Sequence, residues 1–198
     1  MRYPPEHKDR IRRKVLDLAA AELCVNGIEG TGIAEIMRSA GLTHGGFYTH
    51  FASKDDMVAA AITRMFGRLT EKLETGIKTL GPANTFDLFI ESYLSAKHRD
   101  NPARGCPIAA LAGEIQRQPA GTREAYSVGL ERYLCTIAAL LSFEKGKRQT
   151  DLAASLLMEM VGALLMARCV TDNQASVRVL ERAKRSVALR CREPQRGA

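Results

Sequence analysis

The chain has 198 residues, 45% of them hydrophobic, and a formal net charge of +7. That length buries a core without help from disulfides or metals, and a basic surplus favours polyanionic partners. Its five cysteines, Cys24, Cys106, Cys135, Cys169 and Cys191, form no disulfide framework and no zinc spacing.

In chain order, the first helix is expected from about Asp9 to Asn26, with Ile11, Val15, Ala19 and Leu23 as its apolar stripe and Gly27 as its stop. A short helix follows from Ile33 to Ser39, ended by Gly41. A third runs from about His44 to Thr49, and Phe47, Tyr48 and Phe51 close this first core. Ser53-Lys54-Asp55-Asp56 reads as a capping box, opening a long helix from Asp55 to about Gly76. Gly81-Pro82-Ala83-Asn84 is a break. Beyond it, helices are expected at Thr85–Arg99, from Pro107 onward, at Thr122–Phe143, at Gln149–Val170 and at Asn173–Leu189, with a frayed end from Arg192. The fold class is all-α.

Basic residues gather in three places. The first fourteen residues hold Arg2, Lys8, Arg10, Arg12, Arg13 and Lys14 against Glu6 and Asp9. No acidic residue lies between Ile36 and Asp55, where Arg38, His44, His50 and Lys54 fall. A third cluster runs from Arg178 to Arg196. No apolar leader follows the polar start and no uncharged run approaches a membrane span, so a soluble cytoplasmic protein is expected.

Short helix, glycine turn, short helix over Ile33–Thr49 is the geometry of a helix-turn-helix. The second of these helices must be slim enough to enter a major groove. Its start, Thr43-His44-Gly45-Gly46, is small and uncharged. Two glycines cost about 1 kcal/mol each against alanine, so packing by Phe47, Tyr48 and Phe51 must hold it.

Val15-Leu16-Asp17, Gly27, Thr31 to Met37, Ala40-Gly41-Leu42-Thr43-His44-Gly45-Gly46-Phe47-Tyr48-Thr49-His50-Phe51 and Ser53-Lys54 resemble the tetracycline-repressor-like (TetR/AcrR) family of bacterial transcriptional regulators. The resemblance covers Val15 to about Ala61. It implies that Thr43 caps the recognition helix and touches phosphate, and that His44, Gly45 and Thr49 face the groove. Tyr48 and His50 would contact phosphate, and Lys54 would lie near the backbone. Read as residues alone, Tyr48 also suits a core aromatic, His50 a structural histidine and Lys54 a solvated helix start. The sequence departs from the family at Gly32, where a Ser or Thr cap is usual, and at Leu23, where an aromatic is usual. Thr31 is one substitute for the missing cap; a looser helix start is the other.

The resemblance also implies a division into a DNA-binding domain over 9–54 and a ligand-binding and dimerisation domain over 55–191. It implies double-stranded operator DNA as partner and a ligand-released repressor as function. It implies a homodimer through the last two long helices, the first of which carries Leu152, Leu156, Leu157, Met160, Val161, Leu164 and Leu165. A small hydrophobic effector would meet Phe89, Tyr93, Leu111, Tyr126 and Tyr133; core filling is the other reading of each. Catalysis is not expected: His98, Cys106, Glu114 and Cys135 lack an orienting third group. Neither a metal nor a cofactor is expected.

Overall fold

The computed structural model describes residues 5–141 and 144–192, and every regular element among them is helical. The α-helices are α1 (Pro5–Gly30), α2 (Ile33–Ser39), α3 (Lys54–Leu80), α4 (Pro82–Tyr93), α5 (Ala96–Arg99), α6 (Pro107–Ile115), α7 (Ala120–Leu140), α8 (Lys147–Cys169) and α9 (Asn173–Arg192). Two 3₁₀ turns, His44–Thr49 and Pro102–Arg104, complete the set. The expected frayed end beyond Arg192, Phe143 as a helix end, Arg2, and the last arginine of the third basic cluster lie outside the described residues.

The chain divides into two compact units. The first joins residues 1–68 to the later segment Pro102–Leu130; the second joins Leu69–Asn101 to 131–198. Helices α3 and α7 each begin in the first unit and end in the second.

In the first unit, Val15, Leu16, Ala19 and Leu23 of α1 are buried with Ile36 and Met37 of α2 and Met57, Val58, Ala61 and Ile62 of α3. This is the amphipathic pattern read from the sequence, now seen as one core. Asp17 of α1 pairs with Arg64 of α3 through two hydrogen bonds, 2.7 and 2.8 Å, and with Arg68 at 3.3 Å. The Arg64 hydrogen bond holds the Asp17 carboxyl below its ordinary range, against partial burial.

Gly27 breaks α1 with a φ of 70°. The next turn restarts with bare amides, and Glu114 of α6 caps them. Its Oε2 accepts from the Ile28 amide at 2.9 Å and the Glu29 amide at 3.3 Å. This is an N-cap supplied from a distant helix. A Cβ at Gly27 would collide with that carboxylate, so the position needs glycine for its φ and for space.

Several boundaries differ from the sequence expectation. The body helix expected at Thr85 starts at Pro82, because Pro suits a first turn and Gly81 precedes it with a φ of 80°. It stops at Tyr93 rather than Arg99. Ser95 caps a new turn there, its hydroxyl accepting from the His98 amide at 3.1 Å, and the His98 Nδ1–H donates to the Tyr93 carbonyl across 2.7 Å. In the second unit α8 and α9 form a hairpin. Ser176 donates to the Ala167 carbonyl at 2.6 Å, and Arg190 pairs with Glu159. By length and composition α8 could cross a bilayer, yet Leu156, Leu157, Met160 and Leu164 are buried in this unit.

Candidate nucleic-acid interface

The helix-turn-helix begins with α2. Its N-cap, Gly32, offers no side-chain bond, and Thr31 does not stand in. The Thr31 hydroxyl is buried and donates instead to the Gly27 carbonyl at 2.6 Å. The start of α2 is therefore left without a side-chain cap. At the far end Gly41, with a φ of 75°, turns the chain. The carbonyl of Ala40 accepts from Lys14 Nζ at 2.9 Å, a cation placed at a helix C-terminus.

The segment expected as a short helix is a 3₁₀ helix, His44–Thr49. Gly46 N donates to Thr43 O at 3.0 Å and His50 N to Phe47 O at 2.9 Å. Glycine at two adjacent positions lowers helix propensity, and six residues are too few to recover it. Tertiary packing supplies the rest: Phe47 is 0% exposed and its ring lies 5.3 Å from that of Phe51.

The remaining side chains of this segment face outward. Thr43, His44, Gly45, Tyr48 and Thr49 are all exposed. Tyr48 is 63% exposed, with its ring edge-on to Phe47 at 5.2 Å. It is no core aromatic, so that alternative falls. Thr43 occupies the N-cap position but makes no side-chain cap bond, and the Thr49 hydroxyl donates to Gly46 O at 2.7 Å. A Cβ at Gly45 would meet nothing within 4 Å, so the glycine leaves open room there.

His50 and Lys54 are half-buried. The Nδ1 of His50 is buried without a hydrogen-bond partner. Burial, then Lys8 and Arg12, lower its pKa. Lys54 is the first residue of α3, whose start matches the capping box: Asp56 N donates to Ser53 Oγ at 3.1 Å. The Asp56 carboxylate reaches back to the Ala52 amide at 3.0 Å, one residue earlier than the standard box. Arg38 pairs with Glu35 on the surface. In the sequence Lys8 and Arg12 stand out only as part of a charged start. Their spacing of four on one helix was the available signal.

The five residues expected at an effector site are all buried, but they divide. Leu111 and Tyr126 belong to the first unit, where the Tyr126 ring stands edge-on to Phe66 at 5.4 Å. Burial, with Cys106 nearby, pushes the Tyr126 hydroxyl up to about 12. Phe89, Tyr93 and Tyr133 belong to the second, with Phe89 5.7 Å from Tyr93 and 6.4 Å from Tyr133. A separate polar cavity of about 240 Å³ in the second unit is lined by Arg99, Asp100, Arg168, Asn173 and Ser176 among others. Among the described residues no group of three or more His, Cys, Asp or Glu is placed to hold a metal ion.

Residues 15–61 match the model of bacterial regulatory proteins, tetR family. The repressor KstR2 of Mycolicibacterium smegmatis is 33% identical over 92 residues, a stretch covering 44% of each chain. The chain thus aligns with less than half the length of that relative. A TetR transcriptional regulator from Chloroflexus aurantiacus has a crystal structure with TM-score 0.72 and 25% identity, covering 93% of this chain and 95% of that one. The reduced form of E. coli NemR shares the fold at TM-score 0.76 and 20% identity, covering 90% and 95%. The tetR-family match falls on the helix-turn-helix described above, so residues 15–61 are a tetR-family segment, and the all-helical fold extends the likeness to TetR-family regulators over the rest.

Proposed function

We propose that the protein is a sequence-specific DNA-binding transcriptional repressor that works as a homodimer and is released from its operator by a small hydrophobic effector. The observation that carries the DNA reading is the segment Thr43–Thr49. Its apolar ring Phe47 is locked inward while Thr43, His44, Tyr48 and Thr49 project from a glycine-slimmed backbone with no carboxylate among them. Such a face suits a major groove flanked by phosphates. In this reading residues 9–54 read DNA, with Lys54 and His50 at the phosphate backbone, and residues 55–191 carry dimerisation and the effector.

The dimer reading rests on one face of α8. Met158, Gly162, Leu165, Met166 and Cys169 follow helical spacing and form an outward stripe, with Met158 71% and Met166 65% exposed. An apolar stripe with a glycine at its centre fits close approach of a second copy. Leu156 and Leu164, expected from the sequence at the interface, are instead in the chain's own core. Two heads on a twofold body require two half-sites related by the same axis.

The effector reading rests on the ring cluster of Phe89, Tyr93 and Tyr133 within the second unit; Leu111 and Tyr126, in the first unit, enter it only through the family resemblance. The three rings offer apolar surface with two hydroxyls, the lining of a site for a mainly apolar ligand. Release requires the ligand to favour a form whose heads no longer fit DNA.

Genome-wide mapping of bound sites tests the whole reading. Discrete near-palindromic sites support it. Uniform binding without sequence preference, or none, would overturn it.

A further inference from the structure

Two cations and an imidazole meet beside the reader segment, outside the helix-turn-helix proper. Lys8 and Arg12 are four apart on α1 and so share a face. The Arg12 guanidinium lies 4.9 Å from the centre of the Phe51 ring, a cation–π contact that fixes its place. His50 adjoins Phe51, their rings 6.4 Å apart. Among the described residues neither Lys8 nor Arg12 makes an ion pair, although α1 carries Glu6 and Asp9 close by in sequence. Cations gathered without a counter-charge repel one another, and an anion among them removes that cost.

Resting on the DNA-binding reading above, we propose that Lys8, Arg12 and the outward nitrogen of His50 clamp the DNA backbone phosphates that flank the groove occupied by the reader segment. The clamp adds positioning, not base reading. The two cations release counterions on binding. The imidazole does different work. With Nδ1 buried, Nε2 is the nitrogen left to reach a phosphate oxygen. Burial opposes its protonation first, and the two cations on α1 add to that in the free protein. His50 therefore serves as a neutral N–H donor, and its share of the affinity stays flat above the ordinary imidazole range.

The test is fluorescence anisotropy of the full-length protein on a labelled mixed-sequence duplex, titrated at several salt concentrations. Each of Lys8→Gln and Arg12→Gln should lower the slope of log affinity against log salt by about 0.9. Arg12→Lys should keep the slope. His50→Ala should weaken binding at unchanged slope, and His50→Gln, which restores a donor at the Nε2 position, should recover it. Circular dichroism of each variant confirms that the head is folded. If Lys54→Gln lowers the slope while Lys8→Gln and Arg12→Gln leave it unchanged, the clamp is overturned and the DNA reading stands. If His50→Ala instead changes the slope between pH 7.5 and 8.5, the neutral-donor role is overturned. If the unsubstituted protein binds no duplex even at the lowest salt, both readings fail together.

Discussion

The reader segment and the α8–α9 hairpin solve opposite problems. His44–Thr49 is short and glycine-rich, and its shape is imposed from below by Phe47 and Phe51. What it turns outward is polar. Helix α8 has 23 residues rich in Leu, Met and Ala, which favour helix, and has more apolar surface than its own unit covers. One region spends its packing to display chemistry; the other has packing left over. A surface held by neighbours is sensitive to changes beneath it, whereas a long helix of high propensity tolerates changes on its open face.

Substitutions can break this contrast, and the largest effect should come from beneath the reader. Phe47→Ala removes a wholly buried ring and should cost about 3–5 kcal/mol, read as a lowered denaturation midpoint. A loss under about 1 kcal/mol would mean that the segment holds its own shape. On the hairpin, Leu156→Glu should be similarly destructive, by burying an unpaired charge. Met158→Glu, on the open stripe, should leave the monomer folded but shift sedimentation from dimer to monomer. A Met158→Glu dimer of unchanged affinity would remove the stripe from the interface.

Smaller effects sharpen the picture within the first unit. Gly27→Ala strains a positive φ and displaces the Glu114 cap, and should cost about 2 kcal/mol in chemical denaturation. Asp17→Asn should cost about 1 kcal/mol or less, since the carboxylate is partly exposed. The sign with pH follows from its depressed pKa. Its contribution is complete above the unfolded value of about 3.9 and is lost as pH falls through the lower folded value. A denaturation series in acid should show the variant and parent converging there. Least of all, Tyr48→Ala should alter stability by under about 0.5 kcal/mol while weakening DNA binding in a salt-controlled titration.

What the sequence made legible was what neighbours along the chain decide. The α2 limits at Ile33 and Ser39, the stop at Gly41, the Ser53 cap and the Pro107 first turn are all local, and each stands where expected. The outward set Thr43, His44, Tyr48 and Thr49 was legible through the family motif. Contacts between distant residues were not. The Glu114 bond to Ile28 spans 86 positions, and nothing near Glu114 marks it as a cap. The break after Tyr93 depends on a serine and a histidine that look ordinary in a helical stretch. The α8 pattern announced an apolar helix all round, and periodicity alone could not assign its faces to the chain or to a partner.

The cap on α1 also bears on how proteins of this fold can be recombined. The first unit is discontinuous, and residues 1–68 share their hydrogen bonds with a segment that the chain reaches only after residue 101. A helix-turn-helix module transplanted by a single crossover near Lys54 would leave behind the carboxylate that caps the restart of its own first helix after Gly27. The transplantable unit is two pieces of chain, and a working chimera must carry Pro102–Leu130 from the same parent as its reader, or a second Glu at the position of Glu114.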